Sequence, residues 1–284
     1  MLSDDLRKRL AAMRRGSASD SGPTDPSPLR TRLAQAAQAL EQRRGSLLPQ
    51  MSIEEAIPGQ DVQTASGRFY LVEPDPRTLH VNIESIAREH DQLRQSTQPA
   101  SAPFTTLGTD PSRWLYLDIE TTGLSGVPLF LIGLMHLDGD RIRVVQLLAR
   151  DYSEESPLLA HLAEVFPRFD CLVTFNGQTF DLPYIRDRFF ANALRCRFPG
   201  RHLDLLPFAR RRWRAKLPDC KLQTLERWVC GRRRDGDIPS SDIPETYHLF
   251  VRTGNAALIR PILDHNALDL VTMGELLLRL VEPQ

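Results

Sequence analysis

Two carboxylates stand at the end of an apolar stretch in the middle of the chain. The stretch Trp114-Leu-Tyr-Leu-Asp118-Ile-Glu120 reads as a buried strand, and side chains two residues apart on a strand point to the same face. Asp118 and Glu120 would therefore repel each other unless a cation lies between them. A hard divalent cation such as Mg²⁺ or Mn²⁺ prefers carboxylate oxygens and would meet that need. The alternative is a strand end whose acids only reach water, and for an isolated pair this is the commoner case.

A second acidic position follows another short apolar run. Residues 171–175 read as a buried strand, Asn176-Gly177 as a turn, and the residues after Asp181 as a helix. Asp181 stands at the expected N-cap of that helix, where a carboxylate accepts hydrogen bonds from backbone N–H groups. Because neighbouring strand ends lie close together in a sheet, the same carboxylate could instead meet the first two.

A third acidic position lies near the end of the sequence, inside a long apolar helical pattern. His265 and Asp269 are four residues apart and share one face of that helix. An aspartate on a largely apolar face is costly unless it is paired or bound to a cation. The alternative is that the two residues only pair with each other on an exposed face.

The elements that must position these residues alternate between strands and helices. We predict strands at 114–119, 128–136 and 142–149, a helix at 153–166, a strand at 171–175 and a brief strand at 201–205. Further helices are predicted near 182–192, 205–215, 221–230, 242–253 and 256–280. This order indicates an α/β ribonuclease H-like fold, in which an antiparallel three-strand meander and parallel strands form a mixed sheet flanked by helices.

Composition shifts divide the chain into four predicted parts. Residues 1–50 read as a basic, partly disordered arm, which is either a solvated tail or a contact for a nucleic acid or partner. Residues 51–95 read as a small α+β element with a hairpin turning at Ser66-Gly67, and residues 96–112 as a linker. Residues 113–284 would then form the ribonuclease H-like domain.

Overall composition is that of a cytoplasmic protein without a membrane span. The chain has 36 basic and 36 acidic residues, so it is not a polyelectrolyte as a whole. Its four cysteines form no C-x-x-C pair, the N-terminus lacks a signal-peptide pattern, and no apolar run approaches 18 residues.

Local charge is more informative, because residues 205–235 hold ten Arg or Lys against three acids. This run suits a surface that follows phosphates, although a solvated helix face is the alternative. We take the following five side chains as candidate substrate contacts: Arg210, Arg211, Arg212, Arg214 and Lys216. Trp228, at helical spacing, is expected in the core, and His202 and Asp204 are expected to have structural roles.

Taken together and in this order, the three acidic sites resemble those of the DEDD, or DnaQ-like, superfamily of 3′–5′ exonucleases. The resemblance spans roughly residues 112–280. Its bacterial YprB-type branch is similar in Tyr116-Leu-Asp118-Ile-Glu120-Thr-Thr-Gly-Leu, in Phe175-Asn-Gly177…Phe180-Asp181, and in Asp242-Ile-Pro-Glu-Thr-Tyr247…His265-Asn266…Asp269. One departure is that His265 stands four residues before the last aspartate, the spacing usual for tyrosine in this superfamily, where a histidine usually stands five before.

The resemblance implies hydrolysis of phosphodiester bonds with two divalent ions, Mg²⁺ or Mn²⁺. Asp118 would bridge both ions, Glu120 and Asp181 would complete their ligation, and Asp269 would hold the first. His265 would orient or deprotonate the attacking water. Thr121 and Asn176 would contact the substrate or support the ligands.

The implied substrate is DNA or RNA with a free 3′ end, with single-stranded DNA favoured, in repair or nucleic-acid processing. The alternative is a catalytically silent nucleic-acid-binding module on the same scaffold. The occurrence of YprB-type proteins in genomes beside helicases also implies a helicase or repair partner. The N-terminal 110 residues would bind that partner.

Overall fold

The computed structural model describes residues 49–75, 79, 81–95, 110–123, 126–234 and 236–281. These residues all belong to one compact unit, Leu48–Gln284. The arm predicted at 1–50 lies outside the described residues except for positions 49 and 50, and so does most of the linker predicted at 96–112.

One mixed sheet organises the described part of the chain. Its order is β1-β2-β5-β4-β3-β6-β7, with antiparallel pairing from β1 through β3 and parallel pairing of β3, β6 and β7. The seven strands of the described residues are β1 Gln60–Thr64, β2 Gly67–Val72, β3 Trp114–Thr121, β4 Leu129–Asp138, β5 Arg141–Leu148, β6 Cys171–Thr174 and β7 Arg201–Asp204. The predicted α/β fold with a meander and parallel strands is confirmed.

Helices cover both faces of the sheet and bury two apolar clusters. One cluster includes side chains of α1, α3, α4 and α7, and the other includes side chains of α2, α5, α6 and α8. The helices are α1 Ile53–Ala56, α2 Ile83–Gln95, α3 Glu155–Val165, α4 Asp181–Ala191, α5 Leu206–Trp213, α6 Leu222–Trp228, α7 Ile243–Thr253 and α8 Arg260–Val281.

The alternation of β3 decides which way its acids point. Leu115, Leu117 and Ile119 pack in the first cluster, whereas Trp114 and Tyr116 pack in the second. Since successive side chains alternate between the two faces, Asp118 and Glu120 extend from the same face as Trp114 and Tyr116. That is the face covered by α8. The register of β3 against β4 shifts between Glu120 and Thr121, so the strand bends directly after the second acid.

The predicted boundary between residues 51–95 and the main domain does not separate two units. The hairpin of β1 and β2 continues the main sheet, because β2 pairs with β5 from Tyr70–Leu148 to Val72–Gln146. The helix after it, α2, buries Ile86 and Ala87 in the second cluster. The hairpin turns at Ala65-Ser66, one residue earlier than predicted, and Gly67 opens β2 with a φ of 125°.

The start of α4 also differs from the prediction. Asp181 is the first helical residue, Phe180 holds the N-cap position, and the helix has no side-chain cap. Asp181 is therefore not the N-cap residue, and the alternative that its carboxylate only caps α4 is wrong. The preceding turn needs glycine at position 177, because a Cβ there would lie 2.5 Å from the Cβ of Thr174.

Among the described residues, no helix combines the length and apolar character needed to cross a membrane.

We predict that Gly133→Ala destabilises the protein by about 1–3 kcal/mol, the usual cost of adding volume to a packed interior. Gly133 pairs with Asp118 in the sheet, and a Cβ at this position would lie 2.7 Å from Cγ of the buried Asn266. Urea unfolding measures the effect. Gly200→Ala is the control, since a Cβ there has no atom within 4 Å; equal stabilities of the two variants would contradict the prediction.

Candidate active site

Asp118 is fixed in place by the long helix α8 through Asn266. The Asn266 side-chain amide donates to Asp118 Oδ2 at 2.8 Å and to the Asp118 carbonyl oxygen at 3.4 Å. Its own oxygen accepts from Gln146 Nε2 at 2.9 Å, and Gln146 also donates to the Leu263 carbonyl at 2.7 Å. Both amide side chains are fully buried. Asn266 therefore joins β3, β5 and α8 at the first acid, a role that the sequence pattern did not reveal.

Burial and nearby carboxylates raise the pKa values of the two acids on β3. Burial raises the pKa of Asp118 well above its ordinary value, and the charges of Asp269, Glu120 and Asp181 raise it further, while the hydrogen bond from Asn266 lowers it. Burial and the charges of Asp269 and Asp181 raise the pKa of Glu120 to about 8, against a lowering by His265. The structure thus brings Asp118, Glu120, Asp181 and Asp269 into one electrostatic cluster, which we call the acid cluster.

Asp181 enters the acid cluster from the N-terminus of α4. Its side chain is buried, and burial together with the charge of Asp204 raises its pKa to about 7, even though its own N–H and that of Ile119 act in the opposite direction. Asp204 itself is structural, as expected, because it accepts hydrogen bonds from the backbone N–H groups of Asn176, Gln178 and Leu206 at 2.8, 3.1 and 3.0 Å.

One ring nitrogen of His265 faces the acid cluster, and the other faces the loop between α6 and α7. Nδ1 donates to Asp237 Oδ1 at 2.9 Å, since a carboxylate can only accept. Nε2 lies 3.5 Å from Asp269 Oδ2. Burial would lower the pKa of His265, but the hydrogen bond to Asp237 and the charges of Asp269 and Glu120 raise it above its ordinary value. Asp237 was missed by the sequence analysis.

A buried arginine from the same loop also reaches Asp269. Arg234 Nη2 donates to Asp269 Oδ1 at 2.5 Å, Nε donates to Glu226 Oε2 at 2.5 Å, and Nη1 donates to Asp237 Oδ2 at 3.3 Å. The Arg234 side chain is 7% exposed and that of Glu226 is 2% exposed. The loop between α6 and α7 thus supplies a cation to one side of the acid cluster.

The carboxylate oxygens of the acid cluster are suitable ligands for a divalent cation, but the side chains are not arranged as a metal site. Buried carboxylates with raised pKa values are stabilised by a nearby positive charge, and carboxylate oxygens are the ligands that Mg²⁺ and Mn²⁺ prefer. Among the described residues, however, no group of three or more His, Cys, Asp and Glu side chains is positioned to hold a metal ion. The contact of Arg234 with Asp269 is consistent with that finding.

Thr121 and Asn176, the candidate substrate contacts nearest the acids, both make local hydrogen bonds. The Thr121 hydroxyl is buried and donates to the Gly123 carbonyl at 2.7 Å. Asn176 is exposed, has a φ of 68° that suits the turn, and accepts from the Thr179 hydroxyl at 2.8 Å. A substrate role for either residue stays a prediction.

One of the basic candidates on α5 lies far from the acids. Arg212 donates to the carbonyl oxygen of Leu280, eleven residues after Asp269 on α8, which is about 16 Å along a helix. The other four candidates, Arg210, Arg211, Arg214 and Lys216, are exposed. A substrate role for these five residues stays a prediction.

Trp228 lies on the surface, so its predicted burial in the core is wrong. It is 60% exposed, and the guanidinium of Arg227 lies 5.5 Å from its ring centroid. Phe208 and Trp213 instead pack partly buried against the second cluster. The inner face of the short helix α6 is occupied by Leu225 and Glu226, which leaves Trp228 to the outer face.

Comparison with known proteins places this chain in a family. A sequence profile described as the RNase_H superfamily matches residues 115–281, from the second residue of β3 to the end of α8. The chain belongs to the RNase_H superfamily.

Two relatives are similar over the same region. The "Uncharacterized protein YprB" of Bacillus subtilis is 33% identical in an alignment of 174 residues that covers 58% of this chain and 41% of that protein. "DNA polymerase 1" of Sulfolobus acidocaldarius is 26% identical in an alignment of 175 residues that covers 52% of this chain and 19% of the polymerase. The chain therefore matches less than half of the length of either relative.

Two solved structures have a partial likeness to the fold. The family B DNA polymerase of Pyrobaculum calidifontis aligns with a TM-score of 0.48 and 18% identity, over 59% of this chain and 24% of that one. The zinc-bound complex of E. coli ExoI with single-stranded DNA aligns with a TM-score of 0.35 and 16% identity, over 53% and 42%. Both scores are below 0.5, so neither structure bears on the function of this chain.

We predict that the metal-free protein loses stability as the pH rises from about 5 to 8. Between its ordinary pKa of 4.5 and its folded value of about 8, Glu120 is ionised in the unfolded chain and protonated in the folded one. The unfolded state then binds fewer protons and is favoured as the pH rises. His265, whose pKa is also raised, acts in the same direction.

Melting temperatures in a chelator at pH 5, 6, 7 and 8 measure this effect. We expect a fall of several degrees, since about 1 kcal/mol corresponds to about 2–4 °C in a protein of this size. Glu120→Gln should flatten the profile, whereas the control Glu245→Gln changes an exposed glutamate and should not. A profile that is flat or rising in the unmutated protein would contradict the prediction.

Proposed function

We propose that the protein is a metal-dependent 3′–5′ exonuclease that hydrolyses phosphodiester bonds of DNA or RNA, with single-stranded DNA favoured. The observation that carries the proposal is the acid cluster, in which the pKa values of Asp118, Glu120 and Asp181 are raised by burial and by the charges of nearby carboxylates. Membership of the RNase_H superfamily supports a nuclease. The similarity of part of the chain to a DNA polymerase supports a nucleic-acid substrate.

In this proposal the acid cluster would hold two divalent ions, which would supply Lewis-acid activation of water and stabilisation of the leaving 3′ oxygen. Asp118 would be one of the ligands, positioned by the hydrogen bond from Asn266 to its Oδ2. Glu120 and Asp181 would add oxygens from β3 and α4, and Asp269 would add one from α8.

His265 would take the proton of the attacking water at Nε2. Its Nδ1 is committed to Asp237, so the neutral ring presents the lone pair of Nε2 towards the acid cluster. Asp237 would act as a positioning residue that fixes this tautomer and the ring orientation. The raised pKa of His265 would help the ring to hold the proton once it is taken.

An exposed tryptophan beside arginine supports contact with a single strand. Trp228 and Arg227 lie on α6, and the same helix carries Glu226, which contacts the Arg234 that reaches Asp269. An exposed indole ring can stack on a base of any sequence, and a nearby guanidinium adds charge attraction. A role in repair, a location in the cytoplasm and a helicase partner stay predictions.

The direct test is the degradation of an oligonucleotide labelled at its 5′ end, with Mg²⁺ or Mn²⁺, by the full chain. Asp118→Asn should reduce the rate more than about 100-fold, because it removes the charge of a proposed metal ligand. Loss of groups that only support metal ligands costs up to about 100-fold. Asp264→Asn is the matched control, since Asp264 is an exposed aspartate on α8. Activity that survives in Asp118→Asn would contradict the mechanism, and cleavage of a substrate blocked at its 3′ end would contradict the direction.

Asp237→Asn should lower kcat by about 10–100-fold, the range for residues that orient a functional histidine, with little change in KM. Combining it with His265→Gln should add little further loss, because the two residues would act as one unit. Steady-state kinetics over pH 5–9 separate this role from a structural one, since the acidic limb should move to lower pH in Asp237→Asn. Asp140→Asn, at an exposed turn, is the control; additive losses or an unmoved limb would count against the role.

A second candidate function is a silent nucleic-acid-binding module on the same scaffold. The occupation of Asp269 by Arg234 favours it, because a permanent cation there reduces the need for a metal ion. Titration calorimetry distinguishes the two candidates. Oligonucleotide binding without any Mn²⁺ binding would favour the silent module.

A further inference from the structure

The ion pair between Arg234 and Asp269 would have to change if Asp269 bound a metal ion. The arginine Nη2 donates to Asp269 Oδ1, while Nε donates to Glu226 and Nη1 donates to Asp237. The charges of Asp269 and Glu226 raise the pKa of Arg234 despite its burial, so the guanidinium is always charged. Oδ1 of Asp269 therefore already contacts a positively charged group, the guanidinium of Arg234.

A guanidinium and a divalent ion compete for the same carboxylate. Both are attracted by its negative charge, and a metal ion bound to Asp269 would be repelled by a guanidinium a few ångströms away. Charge-assisted hydrogen bonds in a buried setting are among the stronger ones in proteins. Displacing Arg234 from Asp269 therefore has a free-energy cost that metal binding must supply.

Arg234 would keep two carboxylate partners if its contact with Asp269 were broken. Glu226 and Asp237 would still pair with it, and neither carboxylate belongs to the acid cluster. Gly231 and Gly236 lie on either side of Arg234 with φ values of 72° and 79°. Glycine adopts such conformations and their alternatives at little cost, so the backbone on both sides of Arg234 can change.

We propose that Arg234 is a built-in competitor of the metal at Asp269, so that loading of the acid cluster requires the guanidinium to move from Asp269 onto Glu226 and Asp237. This inference rests on the proposed function, because it takes the acid cluster to be a divalent-cation site. Its consequence is a weakened affinity for the ion that Asp269 would hold. The cluster would then be filled at a higher metal concentration than its four acids alone would require.

The test is titration calorimetry of the full, metal-free chain with Mn²⁺ alone, without any nucleic acid. Arg234→Gln should bind Mn²⁺ at least about tenfold more tightly than the unmutated protein, since breaking one hydrogen bond between charged groups costs enough to change affinity by an order of magnitude. The variant is expected to fold, because Arg232 Nε still donates to Glu226 Oε1 at 3.0 Å. Circular dichroism melting checks its folding.

Arg232→Gln is the matched control. It removes the other guanidinium from Glu226, and Arg232 contacts Glu275 and Thr272 rather than Asp269. Its Mn²⁺ affinity should equal that of the unmutated protein. If Arg234→Gln fails to fold, Arg234→Lys replaces it, because lysine keeps the charge but cannot span Glu226 and Asp269 with a planar fork; it should also bind Mn²⁺ more tightly.

Equal or weaker Mn²⁺ affinity in the folded Arg234 variant would overturn the inference and leave the proposed function in place. A gain of the same size in Arg232→Gln would also overturn it, because the effect would then be one of general charge. Absence of Mn²⁺ binding in every protein would overturn the proposed function and the inference with it.

Discussion

The packing of α8 against β3 and β4 is the contact on which the rest of the site depends. At position 133 a Cβ would overlap the amide of Asn266, so the helix approaches the sheet at the point where glycine leaves room. Asn266 then reaches Asp118 on one side and Gln146 on the other. Because His265 and Asp269 belong to the same helix, this one contact determines where both lie relative to the strand acids.

The second constraint is charge. A cluster of buried acids is unfavourable in a folded protein unless its members are protonated or neutralised. Here both solutions are used: the pKa values of Asp118, Glu120 and Asp181 are raised, and Asp269 receives the guanidinium of Arg234. Both effects reduce the electrostatic repulsion within the acid cluster in the folded protein.

Local sequence patterns were sufficient to predict the main strands and helices and to single out the four acids, whose role as metal ligands stays a prediction. Period-two alternation in Trp114–Glu120 and the spacing of His265 and Asp269 depend only on local geometry, which a single sequence carries. Asp237 and Arg234 could not be found in this way, because they lie in a loop without periodicity. Their contacts span 28 and 35 residues to α8.

Two of the errors have local causes. Asp181 has the residue type of a helix cap, yet α4 begins at this residue rather than after it. Trp228 is apolar and at helical spacing, but α6 is short, and its inner face is filled by Leu225 and Glu226. Which side chains of such a short helix are buried depends on the elements that pack against it, and a single sequence does not reveal those elements.

A crystal structure of the protein soaked in Mn²⁺, with anomalous scattering to locate the metal, would show directly whether the acid cluster binds metal. We expect two Mn²⁺ ions about 3.5–4 Å apart, bound by the carboxylates of Asp118, Glu120, Asp181 and Asp269. We also expect the guanidinium of Arg234 to contact only Glu226 and Asp237. Absence of anomalous density at the acid cluster at saturating Mn²⁺ would show that these four acids do not form a metal site.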